Sequence, residues 1–315
     1  MASPTSTSLE TKIDSRIHFG QPANQIRLEG GYPTLQLDLP VLGGSKTESL
    51  LPGARESGEE QGFAVFRQDD QLLGFAVAEP ELELEQATVE LYRRLFTLAR
   101  AHHLHRIWNF VPAINAEVDG LENYRRFCRG RSHAFEDRFG SEFKRFLPAA
   151  SAVGSVKGPL AVIFLSGPDR PRNFENALQI PAFEYPEQYG PRSPSFVRAS
   201  VRRLGDQRQI LISGTAAIRG HASVATGDLA GQLRCTLDNL KGIAQTAGAE
   251  PSEGNGLNRQ YRVYLRRPAD LKFTEQTLQR DLLQPGDSVQ YLQADLCRAE
   301  LLVEIEAILT SRRTG

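Results

Sequence analysis

The stretch CRAELLVEIEAIL, residues 297–309, decides how the rest of the chain is read. From Leu301 onward it is apolar except for Glu304 and Glu306. On an extended strand two residues so spaced project to one face, with Val303, Ile305 and Ala307 on the other. A core strand carrying two acids on one face either borders solvent or lines a polar cavity. The cavity is favoured by what surrounds it, since the chain supplies arginines and tyrosines in loops punctuated by glycine and proline.

Working outward, Gly214-Thr215-Ala216 interrupts a second apolar run, 209–218, which pairs as a hairpin with 197–204 around Gly205-Asp206. A glycine inside a strand marks a bulge or a close approach of backbone and ligand, and Thr215 could donate a hydrogen bond to a carboxylate there. Leu233, Leu237, Leu240 and Ile243 recur at helical spacing over 229–247, with Gly248 at the end. Strands are expected at 261–265 and 289–292, and a short helix at 274–283. In the other half, 63–67 and 72–77 form a hairpin, 86–102 a helix, and 104–111 a strand ended by Pro112. Residues 121–146 show an aromatic helical pattern, and 160–165 a fully buried strand. Residues 45–62 are polar and glycine-containing, a loop or linker. Residues 166–196 hold six prolines, too many for regular structure, and an ordered, functional segment is expected there. The helix-plus-strand unit 86–115 parallels 229–270, which suggests two related halves. The domain expectation is a leader at 1–15, an α+β domain at 16–155 and a second at 156–315.

With 315 residues, 40% hydrophobic and 24% charged at a net charge of −1, the composition is that of a soluble globular protein. No basic excess points to nucleic acid and no apolar run is long enough to span a membrane, so neither partner is expected. The start, MASPTSTSLETKIDS, lacks a hydrophobic signal core, and a cytoplasmic location is expected. Cys128, Cys235 and Cys297 are odd in number and far apart, which argues against disulfides and zinc. His102, His103 and His105 have no carboxylate or cysteine partner nearby, so no metal is expected. The usual cofactor motifs are absent, and no cofactor is expected.

Six segments in order, HLHRIWNFVPAIN (103–115), GLENYRRFCRGR (120–131), LPAASAVG (147–154), YPEQYGPRSPSF (185–196), LISGTAAIRGH (211–221) and CRAELLVEIEAI (297–308), resemble the chorismatase family, enzymes that remove pyruvate from chorismate. The C-terminal half is also similar to RidA/YjgF-type domains, whose fold that family shares. The resemblance implies an α+β fold of two RidA/YjgF-like halves, mixed sheets with helices packed on one face. It further implies a monomer in which the two halves complete each other's surfaces, with the trimer of RidA-type domains as the alternative.

Chorismate is a small dianion, so its binding calls for fixed guanidinium forks and hydroxyl donors at two separated points. Arg131 in a glycine-preceded turn, Arg192 between prolines and Tyr189 are the first choices, with Tyr185 and Arg266 next. Arg198, Tyr124 and Tyr264 are further candidates. The chemical step protonates the enol ether's terminal methylene, giving an oxocarbenium-like cation. The acid must stay protonated near neutral pH, and a glutamate facing a bound dianion in a closed pocket does. Glu304 matches the family's catalytic acid, with Glu306 as partner or solvated neighbour. Two branches then follow: water adds to give a dihydrodiol, or the ring hydroxyl forms an epoxide-like intermediate leading to an aromatic hydroxybenzoate. In the family a cysteine at the start of the final strand accompanies the aromatising branch, and Cys297 stands there. Its odd offset from Glu304 would put the two on opposite strand faces, so a turn around 298–300 must redirect the chain. The expected activity is formation of 3-hydroxybenzoate and pyruvate, with 4-hydroxybenzoate as a further product the chemistry allows. The alternatives are the diol-forming hydrolase and a RidA-like enamine deaminase or small-molecule binder.

Overall fold

The computed structural model of the chain describes residues 14–249 and 256–311. The expected leader lies mostly outside these. Ser15, the last leader residue, is buried, and its hydroxyl accepts the Leu51 N–H at 3.2 Å.

Val303–Ser311 is a central strand. It runs antiparallel to Gln207–Ala216 on one side and to Leu257–Leu265 on the other. The seven-stranded sheet continues outward to Ala199–Leu204 and Arg172–Phe174 at one edge, and to Ser288–Gln293 and Val41–Gly43 at the other. Val303, Ile305, Ala307 and Leu309 join Leu233, Leu237 and Leu240 of the helix Leu229–Thr246 in one apolar core. That helix closes at Gly248, whose φ of +85° suits the left-handed turn after a helix. The helix Leu271–Asp281 contributes Leu278 to the same core.

The other half is a six-stranded sheet in the order Ala149–Ser155, His103–Pro112, Ala161–Gly167, Gln71–Val77, Phe63–Gln68, Glu56–Glu60. Helices Leu84–Leu98 and Asn123–Phe139 cover one face through Tyr92, Phe96, Phe135 and Phe139, with ring centroids 4.9–6.0 Å apart. Gly130 permits their close approach, since a Cβ there would lie 2.6 Å from the Glu85 carbonyl oxygen. Arg131 therefore sits in the middle of a helix rather than in a turn, and the preceding glycine serves packing.

The chain is thus α+β, two mixed sheets each with helices on one face. Three expectations are corrected. Residues 45–62 hold two strands, Thr47–Ser49 and Glu56–Glu60; the second is an exposed edge, so its polar sequence carries no inward alternation. The strand Ala161–Gly167 pairs within the first sheet, beyond the expected boundary at 155/156. Val41–Gly43, conversely, pairs with Ser288–Gln293 of the second sheet. A four-stranded sheet (Gln25–Glu29, Tyr32–Leu37, Arg16–Phe19, Thr47–Ser49) and two short two-stranded ribbons stand beside them. Among the described residues no helix is long and apolar enough to cross a membrane.

The two halves join through their uncovered faces. The acid face of the final strand meets Arg106 and Trp108 of the strand His103–Pro112, and Ser151 of its neighbour.

Candidate active site

Glu304 and Glu306 share a strand face and are both nearly excluded from solvent, yet they are treated in opposite ways. Glu306 is clamped. Arg106 donates at 2.8 Å, the Trp108 indole at 2.9 Å and Arg262 at 2.5 Å, and the Ser151 hydroxyl donates as well. A buried carboxylate so surrounded recovers its lost hydration. Glu304 has no such donors among the described residues, and 4% of its surface is exposed. Burial and then the negative charge of Glu306 push its carboxyl up to about 8, against the pull of Arg106 and Arg198. Glu304 is thus a neutral carboxylic acid at pH 7.

Space for the Glu304 carboxyl comes from Gly214. The pairing of Gln207–Ala216 with the final strand slips between Ile212 and Thr215, a bulge that sets Gly214 beneath the carboxyl. A Cβ at Gly214 would overlap Glu304 Oε1.

The acid opens into a cavity lined from both halves of the chain. Arg131, Arg198 and Arg298 line it together with Tyr124, Tyr185, Tyr189, Cys128, Cys297 and Gly214. Among the described residues, four buried guanidinium nitrogens on these three arginines make no hydrogen bond: Nε and Nη2 of Arg131, Nε of Arg198, which has the Glu175 carboxylate 3.9 Å away, and Nη2 of Arg298. Arg131 is held among the rings of Tyr92, Phe127 and Phe135 at 5.4–6.0 Å. Arg198 donates to the Tyr185 hydroxyl at 2.7 Å, and Arg298 stacks 3.8 Å from the Tyr189 ring. The Tyr189 hydroxyl lies 3.0 Å from His221 Nδ1. Buried guanidinium donors call for acceptors, and their convergence on one cavity favours an anionic ligand.

The chain bends at Cys297-Arg298 and turns at Ala299-Glu300, closed by the Leu301 N–H donating to the Arg298 carbonyl at 3.1 Å, before the strand begins at Val303. The turn demanded by the odd offset exists, and Cys297 and Glu304 line one cavity. Burial and the neighbouring Glu304 push the Cys297 thiol well up, so it is a neutral S–H rather than a thiolate. Burial likewise pushes Cys128 up to about 12.

Of the residues expected at the site, Glu304, Cys297, Arg131, Tyr185, Tyr189, Arg192, Gly214 and Ala216 line the cavity. Arg192 lies at its rim, paired with Glu136 at 2.7 Å. Thr215 does not reach it; the hydroxyl donates to the Ser213 carbonyl at 2.8 Å. Arg266 does not either. It binds the Leu301 and Arg298 carbonyls at 2.7 and 3.0 Å and Asp295 at 2.5 Å, so it fastens the turn that carries Cys297. Tyr264 is buried opposite Glu304, and its hydroxyl accepts from Arg262. His105 contacts the Asp169 carbonyl, and burial and Arg202 push it down to about 4. Among the described residues no three metal-ligating side chains gather. Sequence reasoning missed Arg106, Trp108, Ser151 and Arg298.

These features define an α+β protein of two sheet-and-helix halves, with a site for acid chemistry on a small anion between them. The family model for chorismatases described as "FkbO/Hyg5-like, N-terminal" matches residues 50–166. The chain is 34% identical to the 3-hydroxybenzoate synthase of Streptomyces hygroscopicus, over 93% of this chain and 90% of that protein. It is 35% identical to a chorismatase of Streptomyces rapamycinicus, over 82% of this chain and 80% of that one. A crystal structure of a chorismatase superposes with a TM-score of 0.84 at 31% identity, covering 98% of this chain and 95% of that one. The chain belongs to the chorismatase family.

Proposed function

We propose that this protein converts chorismate to 3-hydroxybenzoate and pyruvate, with Glu304 as the general acid. One observation carries it: a neutral buried carboxyl faces a cavity where three arginines hold four buried donors that make no hydrogen bond among the described residues. A dianion supplies those acceptors, and its charge favours the protonated acid further.

Glu304 gives its proton to the enolpyruvyl methylene, and the cation that forms is stabilised by the carboxylates of the substrate itself. The ring hydroxyl then displaces the ether oxygen. That oxygen leaves as the pyruvate carbonyl, and the epoxide-like ring opens to the phenol with loss of a ring proton, which restores the acid. Chorismate divides into the two products without added water, so the site must keep water from the cation. Cys297, a neutral thiol beside Glu304, supports that reading as an apolar plug. The printed name of the 34%-identical relative supports the same product. In the same reading the protein is a monomer, since both halves clamp Glu306 within one chain, and it is cytoplasmic with its cysteines free.

Incubation with chorismate and chromatography of the products tests this. 3-Hydroxybenzoate with equimolar pyruvate is expected; a dihydrodiol assigns the hydrolase reaction, and enamine hydrolysis without pyruvate release refutes the proposal. Cys297→Ala is expected to admit water and raise the diol fraction several-fold, read by the same chromatography; an unaltered ratio counts against the plug.

The pH profile follows from the acid. Only protonated Glu304 reacts, so kcat/KM is flat below pH 7 and falls tenfold per pH unit above about 8. The limb of kcat lies higher, because bound substrate adds negative charge. A rate rising through pH 8 contradicts the assignment.

A further inference from the structure

We propose that Glu306 is a positioning residue for the reaction: a fixed anion, clamped from both halves, that favours the protonated form of Glu304 and seats it through Ser151. This rests on the reading of Glu304 as the acid.

The geometry runs in one chain of contacts. Arg106 and Trp108 of the first sheet and Arg262 of the second bind Glu306 at 2.5–2.9 Å. The Ser151 hydroxyl donates to Glu306 Oε2, while it accepts from Arg106 at 2.5 Å and from the Gly214 N–H at 2.9 Å. Gly214 is the residue beneath the Glu304 carboxyl. The clamp therefore fixes both the charge beside the acid and the bulge that gives it room.

The remaining groups acting on Glu304 are few. Arg106 and Arg198 favour its ionised form, and Tyr264 and Cys297 lie within electrostatic reach. Arg131 and Arg298 line the same cavity. Glu48 draws charge from Arg262 on the far side of the clamp. Glu306 is thus the negative group that acts most strongly on the acid.

The test is the alkaline limb of kcat/KM for chorismate in two variants. Glu306→Gln is expected to move the limb toward acid by about one pH unit or more. Arg106→Gln removes a guanidinium that binds Glu306 and favours ionised Glu304, and is expected to move the limb the opposite way. Opposite displacements do not arise from general damage to the fold, and Arg106→Gln keeps the test available if Glu306→Gln fails to fold. A limb left in place by both variants, or by Arg106→Gln where it alone folds, overturns the inference. Displacement of both in one direction does so too. A wild type with no alkaline limb contradicts the acid assignment instead, so the two failures are distinguishable.

Discussion

Glu304→Gln is expected to lower kcat/KM for chorismate by roughly 10³-fold, the usual worth of a positioned general acid. Glutamine keeps the shape of the protonated carboxyl but has no proton to give to carbon, so a binding assay with unreacted chorismate should change little. The substitution also reports on the fold. The unfolded chain ionises Glu304 near the ordinary carboxylate value, whereas the folded one holds the proton to about 8. Wild-type stability on this account is intact below about 4.5 and is lost progressively as pH rises to about 8. Glutamine does not titrate, so at pH 7 the variant is the more stable protein by up to ~3 kcal/mol. Melting temperatures at pH 4 and pH 7 check it. A variant with near wild-type turnover, or one less stable at pH 7, contradicts the acid role.

Arg131→Met has the next largest expected effect. The guanidinium is buried against three aromatic faces, with two nitrogens lacking acceptors among the described residues. Methionine fills a similar length without charge, so the variant should melt no lower than wild type. The lost charge-assisted contact should reduce kcat/KM by on the order of 10²-fold, chiefly through KM. Arg131→Lys restores the charge without the planar fork and should recover only part of this. A kcat/KM within threefold of wild type for Arg131→Met would remove Arg131 from the substrate site.

The final strand was legible because its two-residue period is strict, so the shared face of Glu304 and Glu306 followed from spacing alone. The same parity demanded the turn before Val303, which the structure contains. Gly214 was legible as an interruption, though what approaches it is the Glu304 carboxyl. The bulge there also explains why Thr215 turns to the Ser213 carbonyl. Arg106, Trp108 and Ser151 were not legible. They sit in buried strands of the other half, and Arg106 meets Glu306 across 200 positions of sequence through sheet packing that no local pattern encodes. Arg266 misled because a strand-end arginine near a loop reads alike whether it meets a ligand or, as here, the carbonyls of its own chain.

The most direct measurement is turnover of chorismate in D2O, with the released pyruvate trapped at once by reduction to lactate. The exchangeable Glu304 carboxyl carries deuterium there, so one deuterium in the lactate methyl, beside 3-hydroxybenzoate, is the predicted result. A methyl group free of deuterium, or no pyruvate at all, would contradict proton delivery to carbon by this acid.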